Sequence, residues 1–385
     1  MNAFLTNYLA NIIPVSFEIE SKGEVTKVGK DEPKFRVFIN NNISKTELVT
    51  STSLALGEAY MRKDIDVDKD LFEVLDSFLG QMGKFTTDKK KLKNLIFTSM
   101  TKKHQKEEVS SHYDIGNDFY KLWLDETMSY SCGYFKNPTD TLYDAQVNKV
   151  HHILDKLQLK EGMTLLDIGC GWGFLLKEAA KKYGVKGYGI TLSSEQKKKF
   201  EEDIKKEHLE DKLEVHLMDY RELEKSGLQF DRVVSVGMLE HVGRDNYQLF
   251  IDCVNTVLKP HGLFLLHFIS GLKEHPGDPW IKKYIFPGGV IPSLREIMNC
   301  LAEDNFHTLD VENLRNHYNR TLLCWEKNYK EHIDEVREMF DEEFVRMWDL
   351  YLSACAAIFH NGIIDIHQIL VSKGVNNDLP IVRWY

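Results

Sequence analysis

The run from Leu165 to Gly173 combines residue types that suit ligand binding. It reads L-L-D-I-G-C-G-W-G, so an apolar stretch ends in an acid and three glycines follow at alternate positions. Glycines there let the chain turn sharply and let a ligand approach the backbone closely. The G-x-G-x-G spacing is tighter than the G-x-G-x-x-G of dinucleotide-binding proteins, which predicts a ligand without a pyrophosphate. The alternative is a glycine-rich turn that binds nothing.

Polar residues also follow two later apolar segments. Glu240 comes shortly after the segment 230–236, and His267 directly follows the apolar run 263–266. If both segments are parallel strands, these side chains lie at the carboxyl edge of the sheet, beside the ligand of the glycine loop. Each residue also has a purely structural interpretation. Glu240 would then cap the following helix, and His267 would be a buried histidine with ordinary hydrogen bonds.

Alternating strands and helices are predicted to position these residues. Hydrophobic periodicity predicts a strand that ends near Asp167. Further strands are predicted at 186–190, 213–217, 230–236, 262–268 and 307–311. Helical patterns, such as that of 194–208, lie between them. This rhythm predicts an α/β fold with a doubly wound, mostly parallel sheet. Residues 1–90 mix strand-like and helical patterns instead, which predicts a small α+β domain, with strands at 15–19 and 35–39 and helices at 54–61 and 71–79.

The glycine loop resembles motif I of the class I S-adenosylmethionine-dependent methyltransferases. Where that class at large places an acid after the second strand, this chain reads Gly189-Ile190-Thr191-Leu192-Ser193 with Gln196 following. That variant resembles the cyclopropane fatty acid synthase family. Six blocks of the chain are similar to this family's motifs in the family's order, namely 112–118, 130–135, 167–173, 219–221, 235–243 and 318–322. The resemblance runs from about residue 110 to the end of the chain and implies a seven-stranded methyltransferase sheet.

The resemblance implies an enzyme that acts on lipid. Members of the family transfer the methyl group of S-adenosylmethionine to the cis double bond of an unsaturated acyl chain in a membrane phospholipid and close a cyclopropane ring. Residue-by-residue comparison implies a cofactor site formed by thirteen residues: Tyr130, Ser131, Asp167, Gly169, Cys170, Gly171, Thr191, Leu192, Ser193, Gln196, Asp219, Tyr220 and Arg221. Two rivals stay open. One is a methyltransferase that stops at methyl addition, to give a branched lipid or an N-methylated amine, and the other is a non-catalytic lipid-binding protein.

The family uses a bound bicarbonate ion as the base that removes a proton from the added methyl group. The resemblance implies that its site here consists of Cys132, Glu240, His267, Ile269 and Tyr318. An anion beside Glu240 is compatible with that carboxylate if bicarbonate presents its own hydroxyl to it, while His267, Tyr318 and backbone N–H groups meet its other oxygens. A proton shared between bicarbonate and Glu240 would have the same effect. Tyr318 could instead belong to the core, and Cys132 could be inert packing.

Cys355 matches a cysteine that has been assigned to the family as a nucleophile. It lies in the sequence Ala354-Cys355-Ala356-Ala357, where no neighbouring base or cation lowers the pKa of its thiol. We therefore do not expect Cys355 to take part in the chemistry. The six cysteines include no Cys-x-x-Cys pair, so no metal site is predicted.

Charge and composition restrict the partners. The chain has 385 residues and a net charge of −10, which disfavours nucleic acid as a partner. Residues 84–106 nevertheless contain eight lysines against one acid, which indicates either a solvated linker or a surface for anionic lipid. We expect a cytoplasmic protein, without a signal peptide or membrane span, that associates peripherally with the inner face of the cell membrane. The family suggests a homodimer.

These observations predict three parts of the chain. They are an N-terminal α+β domain at 1–90 for membrane association, a basic linker at 91–110, and a catalytic domain at 111–385. An insertion at about 271–305 is predicted to cover the acceptor site as a lid, since its first part is rich in proline and glycine. Candidates for the acyl pocket are Trp280 to Ile291 and the uncharged run 350–364.

Overall fold

The computed structural model describes residues 3–13, 15–80, 115–274 and 277–385. They form two compact units. The first unit contains the described residues of 1–91 together with Gly277–Pro287 and Leu322–Ile363, and the second contains those of 92–276 with Gly288–Thr321 and Ile364–Tyr385. The predicted linker 91–110, the lysine-rich segment 84–106 and the start of the motif at 112–118 lie outside the described residues. The division into three parts therefore stays a prediction.

The first unit contains a four-stranded sheet in the order β2-β1-β3-β4. Its strands are β1 (Phe17–Ser21), β2 (Glu24–Val28), β3 (Arg36–Ile39) and β4 (Ile65–Val67). Strand β1 runs antiparallel to β2 and parallel to β3, and its alternate residues Phe17 and Ile19 are fully buried. The helices of this region are α1 (Ala3–Ile12), α2 (Lys45–Thr50), α3 (Thr52–Met61) and α4 (Leu71–Leu79). The predicted α+β character of this region is confirmed.

The second unit contains a seven-stranded sheet in the order β10-β11-β9-β8-β5-β6-β7. Its strands are β5 (Thr164–Ile168), β6 (Lys186–Thr191), β7 (Leu213–Leu217), β8 (Phe230–Val236), β9 (Leu258–Ser270), β10 (Phe306–Asn313) and β11 (Asp365–Lys373). Strands β5 to β9 are mutually parallel, whereas β11 is antiparallel to both of its neighbours. This is the predicted class I methyltransferase fold, with its switch point between β5 and β8.

The remaining helices precede and follow these strands. They are α5 (Asn117–Trp123), α6 (Leu142–Lys156), α7 (Phe174–Tyr183), α8 (Ser194–Lys206), α9 (Tyr247–Val257), α10 (Pro279–Tyr284), α11 (Leu294–Glu303), α12 (Arg315–Glu331), α13 (Ile333–Met339) and α14 (Glu342–His360). Short 3₁₀ turns follow β7 and β8 at Tyr220–Lys225, Leu239–His241 and Arg244–Asn246. Two buried apolar clusters contain side chains of the central strands, so the interior strands carry apolar residues on successive positions.

The predicted insertion at 271–305 contains two different structures. Helix α10 begins with Pro279, and Asp278 caps it by accepting hydrogen bonds from two backbone N–H groups. Helix α11 begins after a capping box of Ser293 and Glu296 and buries Ile297 in the core, so it continues the regular alternation of strands and helices. Residues 275–276 lie outside the described residues, and the lid function stays a prediction. Within the described residues, no helix is long and apolar enough to span a membrane.

Candidate active site

A cavity of about 160 Å³ lies at the carboxyl ends of β5, β6, β7 and β8. Eleven of the thirteen residues predicted for the cofactor line it: Tyr130, Ser131, Asp167, Gly169, Cys170, Gly171, Thr191, Leu192, Gln196, Asp219 and Tyr220. The position agrees with the rule that ligands of doubly wound sheets bind outside the carboxyl ends of the strands. The side chains of the other two, Ser193 and Arg221, bond within the protein instead of lining the cavity.

The glycine loop needs glycine for two distinct reasons. Gly173 precedes α7 with a φ of +81°, and a Cβ atom there would collide with the ring of Phe200. Gly171 also has a positive φ, but nothing lies within 4 Å of the position that its Cβ would take. Gly173 is thus required by packing, whereas Gly171 leaves open space on the cavity side of the loop. That space is what close approach of a ligand to the backbone requires.

Asp167 ends β5 next to this loop. Its side chain is only 3% exposed, and its Oδ1 has no hydrogen-bond partner among the described residues. Burial raises the pKa of this carboxyl to about 7, although the positive charge of Lys149 opposes the rise. A buried carboxylate oxygen without a partner is unfavourable in isolation, so its position beside a cavity fits a cationic ligand.

Helix α6 contributes two residues that the motif comparison missed. Gln146 donates from Nε2 to the carbonyl oxygen of Ser131 at 2.9 Å, and Lys149 donates from Nζ to the Ser131 hydroxyl, also at 2.9 Å. Burial lowers the pKa of Lys149 to about 8. The sequence contained a signal for them, because Gln146, Lys149, His152 and Lys156 recur at the three- and four-residue spacing of one helix face. All four are buried.

The far side of the cavity is ordered by short local hydrogen bonds. The Thr191 hydroxyl donates to Oε1 of Gln196 at 2.7 Å, which fixes the direction of the glutamine amide. Asp219 is 3% exposed and accepts two hydrogen bonds from the guanidinium of Arg221, at 2.8 and 2.7 Å. Arg221 therefore holds the carboxylate of Asp219 in place.

A second group of polar residues lies beyond this cavity, at the ends of β8 and β9. Glu240 lies between Met238 and His241, which both line the cavity. Its Oε1 accepts a hydrogen bond from the backbone N–H of Ile269 at 2.6 Å, while its Oε2 is buried and has no partner among the described residues. Burial raises the pKa of Glu240 to about 7, so its neutral and ionised forms are both accessible near neutral pH.

His267 is 1% exposed and is in register with Val236, a cavity residue on the neighbouring strand. Its Nδ1 lies 3.1 Å from Nε2 of Gln368 on β11. Its Nε2 is buried without a partner among the described residues. Burial, together with the smaller effects of the charges of Lys149 and Lys156, lowers the pKa of His267 to about 3. His267 is therefore neutral at physiological pH.

Leu314 connects the chain segments of Cys132 and Tyr318, because both residues contact its carbonyl oxygen. The Cys132 thiol lies 3.8 Å from the carbonyl oxygen of Leu314, which also accepts the backbone N–H of Tyr318 at 3.0 Å. The N–H of Leu314 donates in turn to the carbonyl of Ile366, which pairs with Ile269 in the sheet. These contacts connect the backbone segments that carry the predicted bicarbonate residues, and the joint site of their side chains stays a prediction. Burial raises the pKa of the Cys132 thiol far above its usual range, so it remains protonated.

Comparison with known proteins identifies the family. The family model of mycolic acid cyclopropane synthetase matches residues 100–369. The chain belongs to this cyclopropane synthase family. A second family model, of a domain of unknown function, matches residues 4–90. The cyclopropane-fatty-acyl-phospholipid synthase of Escherichia coli K12 is 41% identical over 337 residues, which cover 86% of each chain. A probable fatty acid methyltransferase of Pseudomonas putida is 42% identical over 295 residues, 74% of each chain.

A solved structure agrees with this assignment. The mycolic acid cyclopropane synthase CmaA1, crystallised with SAH and CTAB, superposes with a TM-score of 0.66 and 34% identity, covering 70% of this chain and 98% of that chain. As a member of the cyclopropane synthase family, the chain is an S-adenosylmethionine-dependent methyltransferase, as the motifs predicted.

Cys355 lies on α14, in the other compact unit of this cyclopropane synthase family member. Burial raises the pKa of its thiol to about 12. A thiol with a raised pKa is a poor nucleophile, because the thiolate is the reactive form. This environment argues against a chemical function for Cys355.

Proposed function

We propose that this enzyme transfers the methyl group of S-adenosylmethionine to the cis double bond of an unsaturated acyl chain in a membrane phospholipid and closes the product to a cyclopropane ring. Bound bicarbonate is proposed as the base. The observation that carries the proposal is a pair of buried polar atoms beside the cofactor cavity, Oε2 of Glu240 and Nε2 of His267, for which the described residues provide no hydrogen-bond partner. The name of the Escherichia coli relative supports the lipid substrate.

The residues around the cavity fit S-adenosylmethionine. When bound, this cofactor supplies an electrophilic methyl group. Asp167 would hold its ammonium group with Oδ1, which has no partner in the described part of the chain, since a buried carboxylate is matched by a cation. Gln196 takes the place of the acid that holds the ribose hydroxyls in most methyltransferases, and its carbonyl oxygen is already bonded to Thr191. The amide N–H groups of Gln196 thus remain the donors for that task.

The residues at the end of β9 fit a small anion that carries a proton. When bound, bicarbonate supplies the base for the added methyl group. His267 would donate from Nε2, and Glu240 would share a proton through Oε2, which a pKa of about 7 makes possible in either direction. The backbone N–H of Ile269 holds Oε1 of the same carboxylate. The site therefore relies on neutral donors, and Lys149 and Lys156 contribute positive potential from beyond direct contact.

An alkene is a weak nucleophile, so orientation and exclusion of water must provide much of the rate. Aromatic side chains close one wall of the cofactor region: the ring of Tyr120 lies 5.7 Å from that of Tyr130 and 5.6 Å from that of Trp172. The two candidate segments for the acyl pocket also meet, because Phe286 and Tyr351 pack edge to face at 5.8 Å. Both belong to the first compact unit. We propose that this aromatic contact forms part of the acyl pocket.

A product assay tests the proposal. The protein is incubated with S-adenosylmethionine and vesicles of a phospholipid with cis-unsaturated acyl chains, with and without added bicarbonate, and the acyl chains are analysed by mass spectrometry and NMR. We expect a gain of one methylene group, loss of vinyl protons and new upfield ring protons. Bicarbonate-free buffer should lower the yield. The Glu240→Gln variant should lose product while it still binds S-adenosylhomocysteine, and full activity in that variant would contradict the proposed site.

A second candidate is methyl addition without ring closure. The Pseudomonas putida relative, named a probable fatty acid methyltransferase, favours keeping it. It predicts a branched acyl chain with the same added mass but without ring protons, so the same NMR spectrum decides between the two. A protein that binds vesicles and S-adenosylhomocysteine but makes neither product would instead be a non-catalytic lipid-binding protein.

We also propose that the protein associates peripherally with the anionic inner face of the cell membrane and acts as a homodimer. The lysine-rich sequence at 84–106 and the phospholipid substrate support the membrane association. Light scattering of the purified chain, with and without vesicles, measures both properties.

A further inference from the structure

A chain of buried polar contacts begins at His267 and leads away from the cavity. Nδ1 of His267 lies 3.1 Å from Nε2 of Gln368, and Oε1 of Gln368 lies 2.9 Å from Nζ of Lys156. Lys156 also contacts Glu312 Oε2 at 2.5 Å, and the same oxygen lies 2.7 Å from Nε2 of His152. Both Gln368 and Lys156 have no exposed surface. Three strands and one helix, β9, β10, β11 and α6, thus share one polar path.

The chemistry of lysine fixes the direction of the Gln368 amide. A lysine ammonium has three N–H donors and no lone pair, so the amide atom beside it must be the carbonyl oxygen. Glu312 keeps Lys156 in this charged form: burial lowers the pKa of Lys156, but the carboxylate of Glu312, whose own pKa lies at about 2, opposes that shift. The amide nitrogen of Gln368 therefore faces His267.

The amide direction then fixes the tautomer of His267. An amide NH₂ group can only donate, so Nδ1 of His267 accepts its hydrogen bond and carries no proton. A neutral imidazole has one proton, which must sit on Nε2. Nε2 is the atom that has no partner among the described residues and lies in the proposed bicarbonate site. The Nε2–H group of His267 can therefore donate a hydrogen bond into this site, and an anion needs such donors.

We propose that Lys156 and Gln368 are positioning residues that set the tautomer of His267, so that Nε2–H donates to the anion bound beside Glu240. The inference rests on the proposed function, because it names what selects the hydrogen-bonding state of that same site. The opposite tautomer would present a lone pair from Nε2 to an anion, and the two would repel. A fully buried lysine, which is unfavourable by itself, would then be retained for specificity.

The tautomer is measured directly by NMR. The full chain is labelled with ¹⁵N-histidine, and long-range ¹H–¹⁵N correlations distinguish the Nδ1–H form, the Nε2–H form and the imidazolium. The signal of His267 is assigned by its loss in the His267→Asn variant. Without bicarbonate, the wild-type protein should show His267 as the Nε2–H tautomer. A wild-type spectrum with the proton on Nδ1 would overturn the inference.

Gln368→Glu is the informative variant, because it has nearly the same shape. Its carboxylate can keep the contact with Lys156, but its second oxygen can only accept, so Nδ1 of His267 should become protonated. In the Lys156→Met variant the amide is no longer fixed, and we expect a mixture of tautomers. An unchanged Nε2–H signal in the folded Gln368→Glu variant would also overturn the inference.

Ser372→Ala serves as the matched control. Ser372 is buried on the same strand and bonds to the carbonyl of Gly374 at 2.9 Å, without contact to His267. Its variant should keep the wild-type tautomer. Titration with bicarbonate, followed by calorimetry, should show affinity about 10- to 100-fold lower in Gln368→Glu than in this control, with equal affinity for S-adenosylhomocysteine. Equal bicarbonate affinity in both would refute donation to the anion.

These measurements separate the inference from the proposed function. The tautomer is read without substrate and without turnover. If the wild-type tautomer is as proposed and bicarbonate binds, but vesicles yield no cyclopropane, the proposed reaction is wrong while the assignment of Lys156 and Gln368 stands. If cyclopropane forms while Nδ1 carries the proton, the reaction stands and the positioning function falls.

Discussion

Replacing Glu240 by Gln should stabilise the protein while it abolishes product formation. Glutamine has the same shape as glutamate and can keep the hydrogen bond that Oε1 accepts from the N–H of Ile269. What it removes is a buried carboxyl that must ionise at high pH. The position of Oε2, which has no partner among the described residues, becomes an uncharged NH₂ group. Stability and activity should therefore change in opposite directions.

The size and sign of the stability effect follow from the pKa. Burial raises the pKa of Glu240 from an ordinary value of 4.5 to about 7, which corresponds to about 3 kcal/mol. Below pH 4.5 both the folded and the unfolded chain are protonated, so the carboxyl has no effect. Between pH 4.5 and 7 the unfolded chain releases the proton and the folded chain keeps it, so stability falls as pH rises. Above pH 7 the full penalty applies, and the Gln variant avoids it.

Thermal unfolding in bicarbonate-free buffer at pH 5 and pH 8 measures this effect. At about 2 °C per kcal/mol for a unit of this size, the Tm advantage of Glu240→Gln should grow by roughly 5 °C between the two pH values. Glu202→Gln, which replaces an exposed carboxylate on α8, is the control and should show no such growth. A pH-independent difference between Glu240→Gln and the wild type would refute the assignment of a buried, protonated carboxyl.

Three further predictions concern other parts of the chain. Lys149→Met should weaken binding of S-adenosylhomocysteine about tenfold in calorimetry. The reason is that the Ser131 hydroxyl loses its hydrogen-bond donor and Asp167 loses the nearby positive charge that favours its ionised form. Unchanged affinity would exclude a function for Lys149 in the cofactor site. Cys355→Ala should keep activity within about twofold. A complete loss of activity in a folded Cys355→Ala variant would instead indicate that Cys355 is a nucleophile. Replacing four lysines by Gln should weaken sedimentation of the protein with anionic vesicles, and the effect should be larger at low salt. The four residues are Lys89, Lys90, Lys91 and Lys93. Equal sedimentation of the variant and the wild type would reject the proposal that this segment binds anionic lipid.

The parallel strands of the second unit were predictable because each is a short apolar run bounded by turns. Predicted segments at 186–190, 213–217 and 230–236 agree with β6, β7 and β8 within one residue. Strand β2 was missed, since all of its residues are exposed or only partly buried, and a strand without a buried face has no apolar periodicity. Strand β11 was implied only through the family, because the buried polar residues His367 and Gln368 interrupt its apolar pattern.

Most of the residues that line the cavity were predictable because local motifs encode them, and their binding of the cofactor stays a prediction. The residues that contact them from elsewhere in the fold were not predictable. Gln146 and Lys149 bond to Ser131, 15 to 18 residues earlier in the chain, and Gln368 contacts His267 from the neighbouring strand. No local pattern reports such pairs. Helix periodicity does contain part of the information, because polar residues on an otherwise buried helix face need buried partners.

Helix α6 links the two halves of the proposed site. Lys149 and Lys156 are seven residues apart, which places them on one face about 10 Å apart along the helix axis. Lys149 contacts Ser131, which lines the cofactor cavity, and Lys156 contacts Gln368, which in turn contacts His267. Burial is the main reason why the pKa of His267 is low, and the charges of both lysines add to this effect. His267 is therefore neutral, and the lysines provide the positive charge that would attract an anion. In the proposed site, these two buried cations would set a positive local potential for bicarbonate between neutral donors, although the chain as a whole has a net charge of −10.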